Sequence, residues 1–298
     1  MIKEILNKLN RKEDLSNQEM QDVVNHIMCG EVEDNDIESF LLALNEKGIQ
    51  EPEITAAATV MRDKSLKFDI GDGTHIDTCG TGGTGLHTFN CSTASSFVAA
   101  AGGASITKHG NKAISSKSGS ADFLTEAGAD ITHDRNKLLN VFNQVGFIFL
   151  FAPLHHESMK YVMPARQRIG KKTIFNLLGP HTNPCGARRQ IIGVYDNSLL
   201  STFSRVAKNL DMEHVMVVHG EDGLDETPSI LNEIGETEYA GMPSWGVFQL
   251  SSLFKTRLFK RSIDIKFILD NIFDIHYREF ASGISSPGRS LNLVVNFN

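Results

Sequence analysis

The chain has 298 residues, of which 41% are hydrophobic, 22% charged and 8% aromatic, a globular balance that excludes a disordered, collagen-like or disulfide-stapled mini-protein. With 29 Lys and Arg against 36 Asp and Glu, the net charge of -7 repels nucleic acid and anionic membranes at long range, so any bound anion must be held locally. No run approaches the roughly 18 apolar residues of a spanning helix, and the N-terminal MIKEILNKLN lacks the apolar core of a signal peptide, so a soluble, cytoplasmic protein is expected.

In chain order, MIKEILNKLN reads as an amphipathic helix with charges throughout. Ser16 followed by Glu19 is a capping box opening a helix that Gly30 can close. Ile37, Phe40, Leu41 and Leu44 form an i, i+3, i+4, i+7 stripe, and Gly48 marks where that helix stops. A further helix is predicted from near Thr55, through Ala56, Ala57 and Ala58, to about Lys64. Residues 1 to about 68 are thus a helical lobe. Past Asp69 short β-prone runs alternate with Gly-containing turns and helices, the rhythm of an α/β sheet with crossover helices. The predicted strands are His75 to Cys79, Ser105 to Lys108, Phe147 to Phe151, Gln190 to Val194 and Val215 to His219. Ligands collect beyond the carboxyl ends of such strands, so the loops that follow them outline one site. The cysteines Cys29, Cys79, Cys91 and Cys185 form no Cys-x-x-Cys pair, which indicates neither a zinc knuckle nor a disulfide framework; they are expected to stay reduced.

Three of those loops carry chemistry. Cys79 to Gly85 holds four glycines in seven residues between a strand and a helix, so backbone N–H groups can approach phosphate oxygens while the helix N-terminus adds positive potential. Taken alone, a glycine run is more often a tight turn, and this one has neither P-loop nor Rossmann spacing. Thr88-Phe-Asn-Cys-Ser-Thr93 follows, its hydroxyls serving equally as helix caps or phosphate donors. Lys108-His-Gly-Asn-Lys112, with Ser115, Ser116, Ser118 and Ser120 behind it, forms either a polyphosphate clamp or a solvated loop. Glu221-Asp-Gly-Leu-Asp-Glu226 offers oxygen ligands of the kind Mg²⁺ takes, or a plain acidic surface.

These strings, with Pro164-Ala-Arg-Gln-Arg-Ile-Gly170, Thr173-Ile-Phe-Asn-Leu-Leu-Gly-Pro180, Asn183-Pro184 and His219-Gly-Glu-Asp-Gly-Leu-Asp-Glu226, resemble the anthranilate phosphoribosyltransferase family over about residues 1 to 226. The resemblance implies transfer of a phosphoribosyl group from phosphoribosyl pyrophosphate to anthranilate, in tryptophan biosynthesis. It implies an α/β fold of the nucleoside phosphorylase and phosphoribosyltransferase type: a small helical domain, 1–68, completed by a segment near 165–186, beside an α/β domain, 69–298, with a central mostly parallel sheet. A homodimer paired through the helical part is implied, with no nucleic acid or membrane partner. Carried over residue by residue, Gly80, Gly83, Thr84, Thr88, Asn90, Ser92, Thr93, Lys108, Asn111, Ser115, Ser116 and Ser120 look like phosphoribosyl pyrophosphate contacts. Gly80, His109, Asn111 and Arg166 look like the anthranilate site, and Ser92, Asp225 and Glu226 like the Mg²⁺ set. His109 is a candidate acceptor for the released proton, or a hydrogen-bonding wall of the pocket.

Thr84 stands where the family often has an acid or Ser, and Lys112 where Arg is usual. The larger departure is 227–298, whose Phe-rich, β-branched stretches, Ser262 to Asp274 and Leu293 to Asn298, keep only fragments of the family pattern. Loss of the usual last strands and helices would leave an apolar sheet edge uncovered, and stability is expected to suffer before chemistry does. A pyrimidine nucleoside phosphorylase-like enzyme is the nearest rival, followed by a binding-only or inactive relative.

Overall fold

A computed structural model describes residues 1–71, 73–82, 90–113 and 118–219 in full, and the strands at 250–258, 261–270 and 290–297 by their backbone. The chain forms two compact units, Met1–Ala240 and Gly241–Asn298. That boundary falls inside the stretch 69–298 assigned above to one α/β domain.

The first unit opens with four helices, α1 (Ile2–Asn10), α2 (Asn17–Cys29), α3 (Asp34–Lys47) and α4 (Glu51–Lys64). The predicted capping box is present: Glu19 N–H donates to Ser16 Oγ at 3.2 Å, and Ser16 N–H to Glu19 Oε2 at 2.8 Å. Gly30 ends α2 at φ +76°, and an added Cβ would sit 2.6 Å from the Tyr161 ring, so both conformation and space require glycine. The stripe of α3 is fully buried, with Phe40, Leu41 and Leu44 all 0% exposed. Helix α4 begins at Glu51, earlier than predicted from the alanine run. Pro52 lies in its first turn, where a missing N–H costs nothing, and Glu53 reaches back to the Gln50 N–H at 2.8 Å. Glu53 is itself buried and also takes the Leu15 N–H at 3.0 Å and Lys47 Nζ at 3.0 Å, tying three segments together.

The α/β part runs β1 (Ile76–Gly80), α5 (Cys91–Ala101), β2 (Ile106–Gly110), α6 (Ser120–Glu126), α7 (Arg135–Val145), β3 (Phe147–Phe151), the short helices α8 (Ala152–His155), α9 (Met163–Ile169) and α10 (Ile174–Leu178), then β4 (Arg189–Gly193), α11 (Leu199–Asn209) and β5 (His214–Val218). Every predicted strand is present, within two residues at each end. The sheet is parallel, in the order β3-β2-β1-β4-β5. From β1 the chain goes to β2 on one side and later to β4 on the other, so the carboxyl ends of β1 and β4 flank a switch point, where a ligand cleft opens in such sheets. One continuous core joins the helical lobe to the sheet, from Met20, Phe40 and Ala57 through Leu178 and Phe203 to Ile192 and Val217. Helix α9 packs on α3, and α10 on α4.

The second unit is an antiparallel sheet in the order β6-β7-β8, from β6 (Leu250–Leu258), β7 (Arg261–Asp270) and β8 (Ser290–Phe297). The β-branched stretches noted above thus pair with one another in a sheet of their own, β6 and β7 across a two-residue connection whose closure has a small entropic cost. No helix among the described residues is long and apolar enough to cross a membrane.

Candidate active site

At the carboxyl end of the sheet, β1 delivers Gly80, exposed at its tip, into the glycine loop. Thr81 then bridges to β4: its N–H donates to the Gly193 carbonyl at 2.9 Å, and its Oγ1 accepts the Tyr195 N–H at 3.1 Å. The Lys172 ammonium lies 3.2 Å from the Tyr195 ring centroid, so an aromatic-backed cation borders the same edge. One strand further out, the His219 ring donates through Nδ1 to the Val194 carbonyl at 2.7 Å, which brings the end of β5 to that edge.

The residues that lead into α5 and α6 lie side by side. Asn90 Nδ2 donates to Ser118 Oγ at 3.0 Å, and Thr93 Oγ1 to Ser120 Oγ at 3.1 Å, which joins the start of α5 to the start of α6. Two N-terminal helix turns with their hydroxyls therefore stand together, the arrangement that concentrates positive potential for an anion. The turn after β2 is fixed from below: Asp122 Oδ2 accepts the Ala113 N–H at 2.8 Å and the Gly119 N–H at 2.9 Å, and these bonds hold its carboxyl below the usual range. Gly119 permits that closeness, since an added Cβ would lie 2.4 Å from the Ala113 nitrogen. Asn111 is exposed on this turn; its Oδ1 accepts the Lys112 N–H at 2.8 Å.

Lys108 is only 1% exposed. Its ammonium donates to the Thr78 carbonyl and to Ser92 Oγ at 3.3 Å, so the charge sits beneath the two loops instead of projecting from the turn. It still acts at short range through a low-dielectric interior, where a charge is felt more strongly than at the surface. His109, on the next position of the strand, is buried against His156 at 5.1 Å between ring centroids, and the Gly179 backbone acts on its ring against the effect of burial. Nε2 is buried with no partner among the described residues. Burial, with His156 next in effect, pushes His109 well below the ordinary histidine range, which favours a neutral imidazole that accepts a hydrogen bond over one that keeps a proton.

Arg166 comes from α9. Its Nη2 donates to Asn176 Oδ1 at 3.2 Å, while its guanidinium stands 6.0 Å from the Phe175 ring centroid. Burial lowers its pKa, yet no carboxylate lies within ion-pair distance of it among the described residues. A half-buried guanidinium without a protein anion is a ready partner for a ligand carboxylate.

The described residues thus bring together Gly80, Asn90, Ser92, Thr93, Lys108, Asn111 and Ser120 around the first two loops. Gly83, Thr84, Thr88, Ser115, Ser116, Asp225 and Glu226 lie outside the described residues. Of the Mg²⁺ set only Ser92 is described, and no group of three His, Cys, Asp or Glu that could hold a metal occurs among the described residues. Its hydroxyl is a hard oxygen donor, the type that ion takes. Sequence reasoning missed Asp77, which is fully buried in β1 and hydrogen-bonded to His109, Asn183 and Gln190. Its signal was a carboxylate in the middle of an otherwise β-prone run.

Comparison with known proteins agrees with this geometry. Residues 3–65 match the helical bundle domain of a glycosyl transferase family, and residues 72–243 its a/b domain. The anthranilate phosphoribosyltransferase of Hydrogenovibrio crunogenus is 44% identical over 248 residues, 83% of this chain and 73% of that protein. The one of Methylobacillus flagellatus is 50% identical over 214 residues, 72% of this chain and 63% of that protein. Among solved structures, the Thermus thermophilus enzyme superposes with a TM-score of 0.72 at 36% identity, over 78% of this chain and 71% of that one. The Saccharomyces cerevisiae enzyme in complex with PRPP and Mg gives 0.70 at 29% identity, over 76% and 67%. The chain therefore spans between 63% and 73% of the length of these curated relatives.

Proposed function

The chain belongs to the anthranilate phosphoribosyltransferase family, and from that membership we propose that it transfers the phosphoribosyl group of phosphoribosyl pyrophosphate to the amine of anthranilate, releasing pyrophosphate. The observation that carries this is the joining of the starts of α5 and α6 through Asn90–Ser118 and Thr93–Ser120, with an Arg166 that pairs with no carboxylate among the described residues.

Breaking the bond from the anomeric carbon to pyrophosphate builds positive charge on the sugar and negative charge on the leaving group, so holding the leaving group and aiming the amine dominate the catalysis. The starts of α5 and α6 and the buried Lys108 charge receive the pyrophosphate. Arg166 grips the anthranilate carboxylate and Asn111 orients the ring, which turns the amine toward the anomeric carbon. An arylamine is unprotonated at neutral pH, so no strong general base is needed. A neutral His109 fits this, accepting a hydrogen bond from the amine through Nε2. Asp225 and Glu226, with Ser92, are the residues that would hold Mg²⁺, the ion named with the yeast enzyme. When bound, it would neutralise developing pyrophosphate charge. A homodimer through the helical lobe and a cytoplasmic setting belong to the same proposal; all four cysteines being free thiols supports the latter.

The test follows the loss of anthranilate fluorescence. It should require phosphoribosyl pyrophosphate and Mg²⁺ together, and should vanish in Asp225→Asn with Glu226→Gln while the fold is kept. No loss of fluorescence, with phosphorolysis of a pyrimidine nucleoside by inorganic phosphate instead, would replace this function with the rival one.

A further inference from the structure

One buried carboxylate lies beneath the site, and none of the steps above uses it. Asp77 stands in the central strand β1 with 0% exposure. Its Oδ1 accepts the His109 backbone N–H at 3.1 Å, and its Oδ2 accepts from Asn183 Nδ2 at 2.8 Å and Gln190 Nε2 at 3.3 Å. Both amides reach a second point: Asn183 donates to the Thr107 carbonyl at 2.7 Å, and Gln190 to the Pro180 carbonyl at 2.7 Å. Gly179, whose backbone raises the His109 pKa against the effect of burial, directly precedes Pro180. One carboxylate therefore reaches the imidazole by two routes, through the His109 main chain and through the turn beside its ring.

The placement is a costly way to join strands that already share a ladder, because a buried carboxylate destabilises a core unless all its hydrogen bonds are made. Burial raises the Asp77 pKa against the opposing pull of Lys108, Asn183, His109 and Gln190, and the carboxylate is the acceptor in all three of its hydrogen bonds. We propose that Asp77 is a positioning residue for the transfer reaction, holding the His109 imidazole at the anthranilate amine through the His109 main chain and the Gly179–Asn183 turn.

Because this rests on the transfer reaction, its test has one arm that needs no substrate. In the full chain labelled with ¹⁵N-histidine, the His109 ring N–H, assigned with His109→Gln, is followed for exchange with water. Asp77→Asn should speed that exchange about tenfold or more, whereas the core control Ile106→Val, with Tm lowered to match, should leave it within about twofold. The second arm is kinetic: KM for anthranilate should rise about tenfold in Asp77→Asn while KM for phosphoribosyl pyrophosphate stays within about twofold. Unchanged ring exchange in the folded variant, or equal shifts of both KM values, would overturn the role. Should Asp77→Asn not fold, Asn183→Ser cuts only the turn side and is judged by the same two readouts. If the wild-type chain performs no transfer, the reaction itself is refuted, and ring exchange alone decides whether Asp77 positions His109.

Discussion

In the proposed reaction Arg166 decides which acceptor the site can take. Its guanidinium is held by Asn176 and backed by Phe175, and its burial makes an unanswered charge unfavourable, so it is poised for a carboxylate that arrives with the substrate. Arg166→Ala should raise KM for anthranilate by about 10- to 100-fold, the range of a lost charge-assisted bond, and change KM for phosphoribosyl pyrophosphate little. Arg166→Lys should recover only part, because the two-pronged geometry is gone. Steady-state kinetics with each substrate varied in turn checks this, and equal effects on both would remove Arg166 from the acceptor site. Arg166 and Lys108 draw notice in the sequence because each stands in a string of specific residues. That Lys108 is buried was not legible there: a lysine beside His-Gly-Asn reads as a surface clamp, and only the fold shows the strand turning it toward Thr78 and Ser92. Asp77 was illegible for a related reason, since alternation along a strand makes a polar residue look solvent-facing when both faces of the sheet are covered.

The element that most directly shapes the anion site is the turn between β2 and α6. Asp122 holds it closed from within α6, and Gly119 lets the two backbone stretches meet. Gly119→Ala places a methyl 2.4 Å from the Ala113 nitrogen, so the turn must open and the Asp122 bonds lengthen. We expect a stability loss of about 1–3 kcal/mol, together with a rise in KM for phosphoribosyl pyrophosphate of about tenfold. A thermal melt and substrate titration check both, and an unaltered KM would separate this turn from the anion site. Strand positions were readable because each β-prone run ends at glycine or at a polar loop, and helix α2 because its cap residues are local. The start of α4 was misjudged because alanines advertise a helix interior while Pro52 and Glu53 mark its true first turn. The pairing of β6, β7 and β8 was unreadable: period-two alternation fixes a strand but not its neighbours.

At the scale of the whole molecule, the buried histidines make stability depend on pH. Burial pushes His156 down to about 4 and His181 down to about 3, from an ordinary 6.5, so the folded protein keeps them neutral where the unfolded chain would protonate them. Their contribution is complete above about 6.5 and falls away as pH drops from there toward 4, at up to about 1.4 kcal/mol per pH unit for each histidine. Urea midpoints should therefore fall between pH 7.5 and 5.5, and His181→Leu should flatten the slope; a midpoint constant over that range would contradict it. The proposed transfer depends on the loops after β1 and β2 gripping a diphosphate with its divalent ion. Calorimetric titration of phosphoribosyl pyrophosphate into the full chain tests that most directly. Binding should be seen with Mg²⁺ present, weaken sharply when the ion is chelated, and lose about tenfold or more in Lys108→Met. Affinity indifferent to both the ion and Lys108, or no binding at all, would contradict it.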